Sequence, residues 1–201
     1  MIRRLTLLVA CTLITTAMAM QPDARQALPN RHPITLPLAA DTTPRWEDTL
    51  HAFALELQRA YQLDEAVATA FSRWILDAGD MYAVPPGLLA ALINTESHFR
   101  TRAVSWANAV GPAQVIPTVW QGHCPGDLTE PGNNIICGAY VLRRYYERYC
   151  GGQNWYCALE HYHTGPSNMA EKESYTQTRA DYVAKVSGNL RRLADDGVAM
   201  L

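Results

Sequence analysis

The chain has 201 residues, of which 48% are hydrophobic and 18% charged, and its formal net charge is −2. This composition is that of a globular protein and excludes disorder as an overall description. The weak negative charge gives no general attraction to nucleic acid or to anionic lipid, so we expect no nucleic-acid partner. The length suits one domain with additional terminal segments.

The first nineteen residues have the pattern of an export signal. A charged start is followed by an apolar run over residues 5–16 and by a small-x-small cleavage site at residues 17–19. The run is too short to span a bilayer comfortably, so we expect a periplasmic location with no stable membrane span after cleavage. Cys11 ends a segment that reads like a lipoprotein cleavage box, which makes a lipid anchor at this cysteine the second hypothesis.

Prolines separate the signal from the rest of the chain. Residues 20–44 contain five of the twelve prolines, and this spacing is incompatible with a helix or a central strand. We therefore predict an extended linker over residues 20–44, one domain over residues 45–195 and a short tail over residues 196–201.

Apolar residues recur at helical spacing through the predicted domain and indicate an all-α fold. The expected helices, in chain order, run from Trp46 to about Tyr61, Asp64 to Gly79, Pro85 to about His98, Ala113 to Trp120, Asn133 or Asn134 to about Tyr149, Trp155 to His163, and Tyr175 to Leu193. Residues 121–134 are rich in glycine and proline and are expected to be irregular. No alternation of apolar and polar residues is long enough for a convincing sheet.

Four cysteines lie beyond the signal: Cys124, Cys137, Cys150 and Cys157. In an oxidising compartment an even number of cysteines favours disulfides, here two with three connectivities. We favour Cys124–Cys137 and Cys150–Cys157, because each closes a short loop beside a helix end.

Zinc binding is the alternative use of these cysteines. The nearby histidines are His123, His161 and His163. No two cysteines have C-x-x-C spacing, and export favours oxidation over metal binding. We therefore expect neither a metal nor another cofactor.

Glu96 has an unusual position in the third predicted helix. Leu89, Leu92, Ile93 and Glu96 follow the spacing i, i+3, i+4, i+7, so the carboxylate falls on the apolar stripe. Burial and the negative end of the helix dipole both raise a carboxyl pKa, as a general acid near neutral pH requires. The alternative is that Glu96 extends into solvent where the helix frays.

An ordered set of short motifs accompanies Glu96. The motifs occupy residues 96–99, 103–105, 111–120, 134–142, 158–166 and 179–186. Together they resemble the core signature of the soluble-lytic-transglycosylase domain family, whose members share a lysozyme-like helical fold with goose-type lysozyme. The resemblance covers roughly residues 75–190, in the right order and with ordinary spacings.

The resemblance implies roles for individual residues. Glu96 matches the single catalytic carboxyl, and Tyr162 matches the tyrosine whose hydroxyl points toward it. Gln114 matches a glutamine that hydrogen-bonds the substrate, and Ser97 a serine that meets the sugar's polar groups. Ser105 is as consistent with a hydroxyl that caps the loop as with a substrate contact.

Two positions depart from the family pattern. Pro112-Ala113 stands where the family commonly has leucine-methionine before the glutamine, which implies a different groove wall. His163 replaces the usual asparagine after Tyr162, and we expect it either to contact substrate or to be a structural histidine with a backbone partner.

The resemblance implies a lytic transglycosylase acting on the glycan strands of peptidoglycan through one carboxyl group. The other acidic candidates, Asp127, Glu130 and Glu160, match no catalytic position and are expected to be solvated surface charges. A muramidase that hydrolyses the same bond and a non-catalytic cell-wall-binding or assembly protein are the alternatives. Because small exported members of the family often act with an envelope-spanning secretion, conjugation or pilus machinery, the resemblance suggests such a partner here.

Overall fold

The computed structural model describes residues 45–165 and 173–195, which form α-helices joined by irregular segments. The helices are α1 (Trp46–Tyr61), α2 (Glu65–Tyr82), α3 (Pro86–Ser97), α4 (Pro117–Trp120), α5 (Pro131–Cys150), α6 (Trp155–Thr164) and α7 (Glu173–Asp195). The described part has isolated β-bridges but no strand, so the all-α prediction is confirmed. The predicted signal, Cys11, the proline-rich linker and the C-terminal tail lie outside the described residues.

Helix α3 lies at the centre of the domain. Its residues from Leu88 to Asn94 are all buried, and Leu89, Leu92 and Ile93 are fully removed from solvent. A helix that is apolar on most of its circumference is stable only where other elements surround it. Helices α2 and α7 pack on α3, and α7 also packs on α6. The C-terminal turn of α3 therefore faces helices from the last third of the chain.

Helix α2 does not end at Gly79 as predicted. It continues to Tyr82, and Ala83 takes the left-handed conformation that ends it. A Cβ atom on Gly79 would lie 2.9 Å from the Val84 carbonyl oxygen, so the glycine permits a close backbone approach. Gly79 is therefore required by the backbone that packs against it and does not mark the end of α2.

The helix predicted from Ala113 is shorter than expected and covers only Pro117–Trp120. Gly111 and Gln114 have φ of 74° and 51°, a left-handed conformation that cannot continue a right-handed helix. The backbones of Val110 and Val115 instead bond to each other in a bridge. The chain between α3 and α4 is thus a compact loop, which we call the 100–116 loop.

Helix α5 begins at Pro131, after Glu130, rather than after Asn133 or Asn134. Proline is favoured in the first turn of a helix because the amide hydrogen it lacks has no partner there. This earlier start places Asn134 inside the first turns of α5, where its side chain points into the 100–116 loop.

The two disulfides are the pairs that we favoured. Cys124–Cys137 joins the irregular segment before α5 to that helix, and Cys150–Cys157 joins the end of α5 to α6. Both therefore stabilise the positions of elements around α5. Among the described helices, none is both long and apolar enough to cross a membrane.

Candidate active site

Glu96 lies in the last turn of α3, one residue before its end. His98 and Phe99 follow with φ of 52° and 59°, so the chain leaves the helix sharply and enters the 100–116 loop. Part of the Glu96 residue is exposed, while its carboxyl group is largely removed from solvent. The expectation that this side chain lies on the packed side of the helix therefore agrees with the structure.

Two influences determine the acidity of Glu96. Burial raises its pKa to about 7, because the charged carboxylate loses hydration. The Tyr182 hydroxyl donates a hydrogen bond of 2.5 Å to Oε1 and acts in the opposite direction. No charged side chain of the described residues contributes to this shift. Near neutral pH the group is therefore populated in both its protonated and ionised forms.

Tyr182, on α7, belongs to the 179–186 motif of the family resemblance, but no role in the site was expected of it. It is 6% exposed, and burial together with the Glu96 charge raises its pKa well above the usual value of 10. The phenol therefore remains protonated and available as a donor. A buried tyrosine hydroxyl needs a hydrogen-bond partner, and the apolar helix face on which Tyr182 lies is the sequence signal for such burial.

Tyr162, on α6, lies close enough to Glu96 for the carboxylate charge to contribute to its raised pKa. Its hydroxyl, however, donates a 2.7 Å hydrogen bond to the Ala113 carbonyl. The resemblance implied that this hydroxyl points toward the carboxyl; in the structure the hydrogen bond to Glu96 comes from Tyr182. Tyr162 instead connects α6 to the 100–116 loop.

Asn134, on α5, also holds this loop. Its side-chain oxygen accepts a 2.8 Å hydrogen bond from the Ala113 amide, and its nitrogen donates to the carbonyls of Val110 and Leu128. A Cβ on Gly138, one turn later, would lie 2.6 Å from the Ala113 Cβ. Ala113, one of the two departures from the family pattern, is therefore enclosed by α5 and bonded through both backbone groups.

Gln114 and Ser105 belong to the 100–116 loop. The Gln114 amide nitrogen donates to the carbonyls of Ala103 and Gly111. The Ser105 hydroxyl accepts a hydrogen bond from the Ala109 amide, which matches the loop-capping role considered for it. Gln114 also lines a cavity of about 260 Å³ with Tyr162. Of these two residues, Gln114 is therefore the one that faces an open site.

Ser97 is not placed to meet a sugar in this structure. It is fully buried, and its hydroxyl donates a 3.2 Å hydrogen bond to the Ile93 carbonyl one turn earlier. Serine in a helix commonly bonds back to the preceding turn in this way. The side chain of Ser97 thus belongs to the packing of α3 rather than to an accessible surface.

His163, the second departure from the family pattern, lies near the end of α6 and lines the same cavity as Gln114. Its ring stacks on Tyr182, with centroids 4.4 Å apart and planes inclined by 12°. Burial and the positive charge of Lys185 lower the pKa of His163 below its usual value. The structure therefore connects this residue to the partner of Glu96.

The other acidic candidates lie apart from this arrangement. Asp127 is exposed and accepts hydrogen bonds from the amide and hydroxyl of Thr129, which lower its pKa. Glu130 is exposed at the start of α5, and Glu160 lies on α6. None of the three influences the pKa of Glu96.

The zinc alternative has a partial counterpart in the structure. One ligand atom from each of Cys150, Cys157 and His161 lies within 4.8 Å of the others. The two sulfur atoms are joined in a disulfide, so they cannot act as the thiolates that bind zinc. His161 itself is 7% exposed and stacks on Tyr149.

Comparison with known proteins identifies a family and a relative. The family model of the Transglycosylase SLT domain matches residues 73–184, which is more than half of the chain. A protein named Transglycosylase from Enterobacteria phage PRD1 is 33% identical over 116 residues, which are 58% of this chain and 41% of the phage protein. The chain thus spans less than half the length of this relative. The region matched by the family model begins in α2, ends in α7 and includes Glu96, Tyr162 and Tyr182. The chain therefore belongs to the Transglycosylase SLT domain family.

Proposed function

We propose that the chain is a lytic transglycosylase that cleaves the β-1,4 bond between N-acetylmuramic acid and N-acetylglucosamine in peptidoglycan. The observation that carries this proposal is the state of Glu96. It is a buried carboxyl with a pKa of about 7, bonded to a protonated tyrosine and influenced by no second carboxylate among the described residues. Ordinary glycoside hydrolysis uses two carboxylates, whereas this reaction needs one.

In the first step, protonated Glu96 donates its proton to the glycosidic oxygen. The bond between this oxygen and the anomeric carbon breaks, and its electron pair remains on the oxygen of the departing sugar. The N-acetyl oxygen of the muramyl residue forms a bond to the anomeric carbon and compensates its positive charge. Tyr182 donates to the carboxylate that Glu96 has become, which stabilises the ionised form.

In the second step, ionised Glu96 accepts the proton of the muramyl C6 hydroxyl. The C6 oxygen bonds to the anomeric carbon, the N-acetyl oxygen leaves it, and a 1,6-anhydro ring closes. Glu96 ends the cycle protonated, and no water is consumed. A pKa near the working pH suits a group that acts first as acid and then as base.

The cavity lined by Gln114, Tyr162 and His163 is the surface that we assign to the glycan strand. Its polar groups suit hydrogen bonds to sugar hydroxyl and acetamido groups. Gln114, held by two backbone carbonyls, presents a fixed amide there. Such preorganisation lowers the entropic cost of orienting the reacting bond.

The test is digestion of purified sacculi by wild-type protein and by Glu96→Gln. The substitution keeps the size of the side chain and removes the acidic proton, so we expect the release of muropeptides to fall by about a thousandfold or more. Glu130→Gln is the matched control, because Glu130 is exposed at the start of α5. Undiminished release by Glu96→Gln would refute the mechanism, and absence of release by wild type would favour the non-catalytic alternative.

We also propose export to the periplasm and a domain at residues 45–195 behind a linker. The export pattern over residues 1–19 and two disulfides support an oxidising compartment. Local opening of the wall for an envelope-spanning machinery is part of this proposal through the family resemblance. Amino-terminal sequencing of the mature protein tests the cleavage site, and identification of co-purifying envelope proteins tests the partner.

A further inference from the structure

The imidazole of His163 covers one face of Tyr182. Their ring centroids are 4.4 Å apart and the planes are inclined by only 12°. Tyr182 is 6% exposed, while His163, near the end of α6, is partly exposed. The histidine ring therefore lies on the solvent side of the tyrosine ring and restricts its rotation.

The hydroxyl of the covered ring is the donor to Glu96. The O–O distance to Oε1 is 2.5 Å, and the two residues are 86 positions apart in the chain. A hydrogen bond between distant elements keeps its geometry only if both side chains are held in place. Helix α3 holds Glu96 through its buried apolar face, and the ring of His163 packs directly on Tyr182.

We infer that His163 is a positioning residue: by stacking on Tyr182, it keeps the phenol hydroxyl directed at the Glu96 carboxyl. The family's usual asparagine has no ring with which to make this contact. The inferred effect on reaction rate rests on the proposed function, whereas the effect on the Glu96–Tyr182 pair does not.

The groups around this stack define what the imidazole contributes. Lys185 on α7 is the charged residue that acts on His163, and together with burial it lowers the pKa of His163. Glu96 on α3 and Tyr162 on α6 are the titratable groups that act on Tyr182. At neutral pH the histidine is therefore mainly neutral, and its contribution comes from the ring rather than from a charge.

The experiment is a carbon-13 NMR titration of the Glu96 carboxyl in the full chain, labelled at glutamate. Wild type should titrate at a pKa of about 7. Tyr182→Phe removes a hydrogen bond that favours the carboxylate, so it should raise this pKa. His163→Ala should raise it in the same direction by a smaller amount, because the phenol is less well oriented.

Three further variants separate the ring from other effects. His163→Phe retains the stack and should restore the titration of wild type, whereas His163→Asn should behave as His163→Ala does. In the Tyr182→Phe background, His163→Ala should add no further shift. His51 is an exposed histidine on α1, and His51→Ala is the matched control. In this variant Glu96 should titrate as it does in wild type.

The same variants have an expected kinetic result. His163→Ala should lower kcat by about tenfold, as a misplaced catalytic group does. Because His163 also lines the cavity assigned to the glycan strand, the matched comparison is His163→Phe, which should restore kcat whatever its KM. The inference is overturned if His163→Ala leaves the Glu96 titration unchanged, if His163→Phe shifts it as much as alanine does, or if the shifts of the double variant add. If wild type cleaves no peptidoglycan, the proposed function fails, while the titration still decides the role of His163.

Discussion

Opposed influences act on the carboxyl group of Glu96. The end of a helix and a buried position both disfavour its ionised form, and the Tyr182 hydrogen bond favours it. Burial is the larger influence, because the net pKa is raised from 4.5 to about 7. The charge of Glu96 is therefore a measurable cost to the folded state above neutral pH.

The first prediction concerns stability and pH. Because the folded pKa is raised above the unfolded value, the stabilisation from Glu96 is fully present below about pH 4.5 and is lost as the pH rises through about 7. Glu96→Gln has no such loss, so its stability relative to wild type should increase with pH by up to about 3 kcal/mol. Urea unfolding at about pH 4 and about pH 8.5 measures the difference. The free energy of unfolding of Glu130→Gln should match that of wild type at both pH values. If the difference in this free energy between wild type and Glu96→Gln is the same at both pH values, the raised pKa of a buried carboxyl is contradicted.

The second prediction concerns Tyr182. Replacement by phenylalanine removes the hydrogen bond to the ionised carboxyl, so the pKa of Glu96 should rise. The decrease of kcat/KM at high pH should therefore begin at a higher pH than in wild type. The value of kcat should fall by about tenfold, because the carboxylate formed in the first step loses its hydrogen-bond donor. Tyr156→Phe is the control, because Tyr156 is 60% exposed on α6. A pH profile identical to that of wild type would contradict the role of Tyr182.

The burial and raised pKa of Glu96 could be predicted from the sequence, whereas the contact that Tyr182 makes with it could not. Glu96 breaks an apolar stripe, which is a local signal. Tyr182 continues one, since Val183, Val186 and Leu190 share its helical spacing, and its partner lies 86 residues away. Only the folded structure brings α3 and α7 together and reveals the pair.

At the scale of elements, the 100–116 loop depends on helix α5. Asn134 bonds the Ala113 amide and two carbonyls, and Tyr162 from α6 bonds the Ala113 carbonyl. These contacts keep Gln114 in its left-handed conformation at the cavity. The loop therefore has a defined shape although it contains little regular secondary structure.

We predict that Asn134→Ala destabilises the protein by about 2–4 kcal/mol, because three hydrogen bonds are lost and buried backbone groups are left without a partner. Asn133→Ala is the control. Its amide makes one exposed hydrogen bond, to the Asp127 carbonyl, and the loss should be below about 1 kcal/mol. Urea unfolding of both variants tests the difference, and equal losses would show that Asn134 does not hold the loop.

Helix spacing predicted the seven helices found among the described residues, but their ends depended on contacts that a sequence does not display. Gly79 is a glycine because the Val84 carbonyl comes close, not because α2 stops there. The residues from Ala113 to Ile116 form a bridge and turns because Val110 pairs with Val115. Asn134 bonds to the loop instead of capping α5. In each of these three cases the prediction relied on a local sequence signal, whereas a tertiary contact determines the structure.

At the scale of the whole molecule, both disulfides act on α5. Cys124–Cys137 spans 13 residues and Cys150–Cys157 spans 7. Loop-closure entropy predicts that Cys124→Ser with Cys137→Ser lowers the free energy of unfolding by about 3 kcal/mol. Removal of the shorter link by Cys150→Ser with Cys157→Ser should lower it by about 2 kcal/mol. Thermal unfolding of both double variants measures these losses. Addition of a reductant should lower the Tm of wild type and leave the Tm of a variant without either disulfide unchanged. An unchanged Tm of wild type would contradict the claim that the disulfides stabilise the fold.

The central claim is that one carboxyl group closes a 1,6-anhydro ring without water. Digestion of purified sacculi in isotopically labelled water, followed by mass spectrometry of the released muropeptides, tests it most directly. We predict products with anhydromuramyl ends, each lighter by one water molecule than a hydrolysis product and free of the label. Reducing muramyl ends that carry the labelled oxygen would contradict the claim and identify the protein as a hydrolase of the same bond.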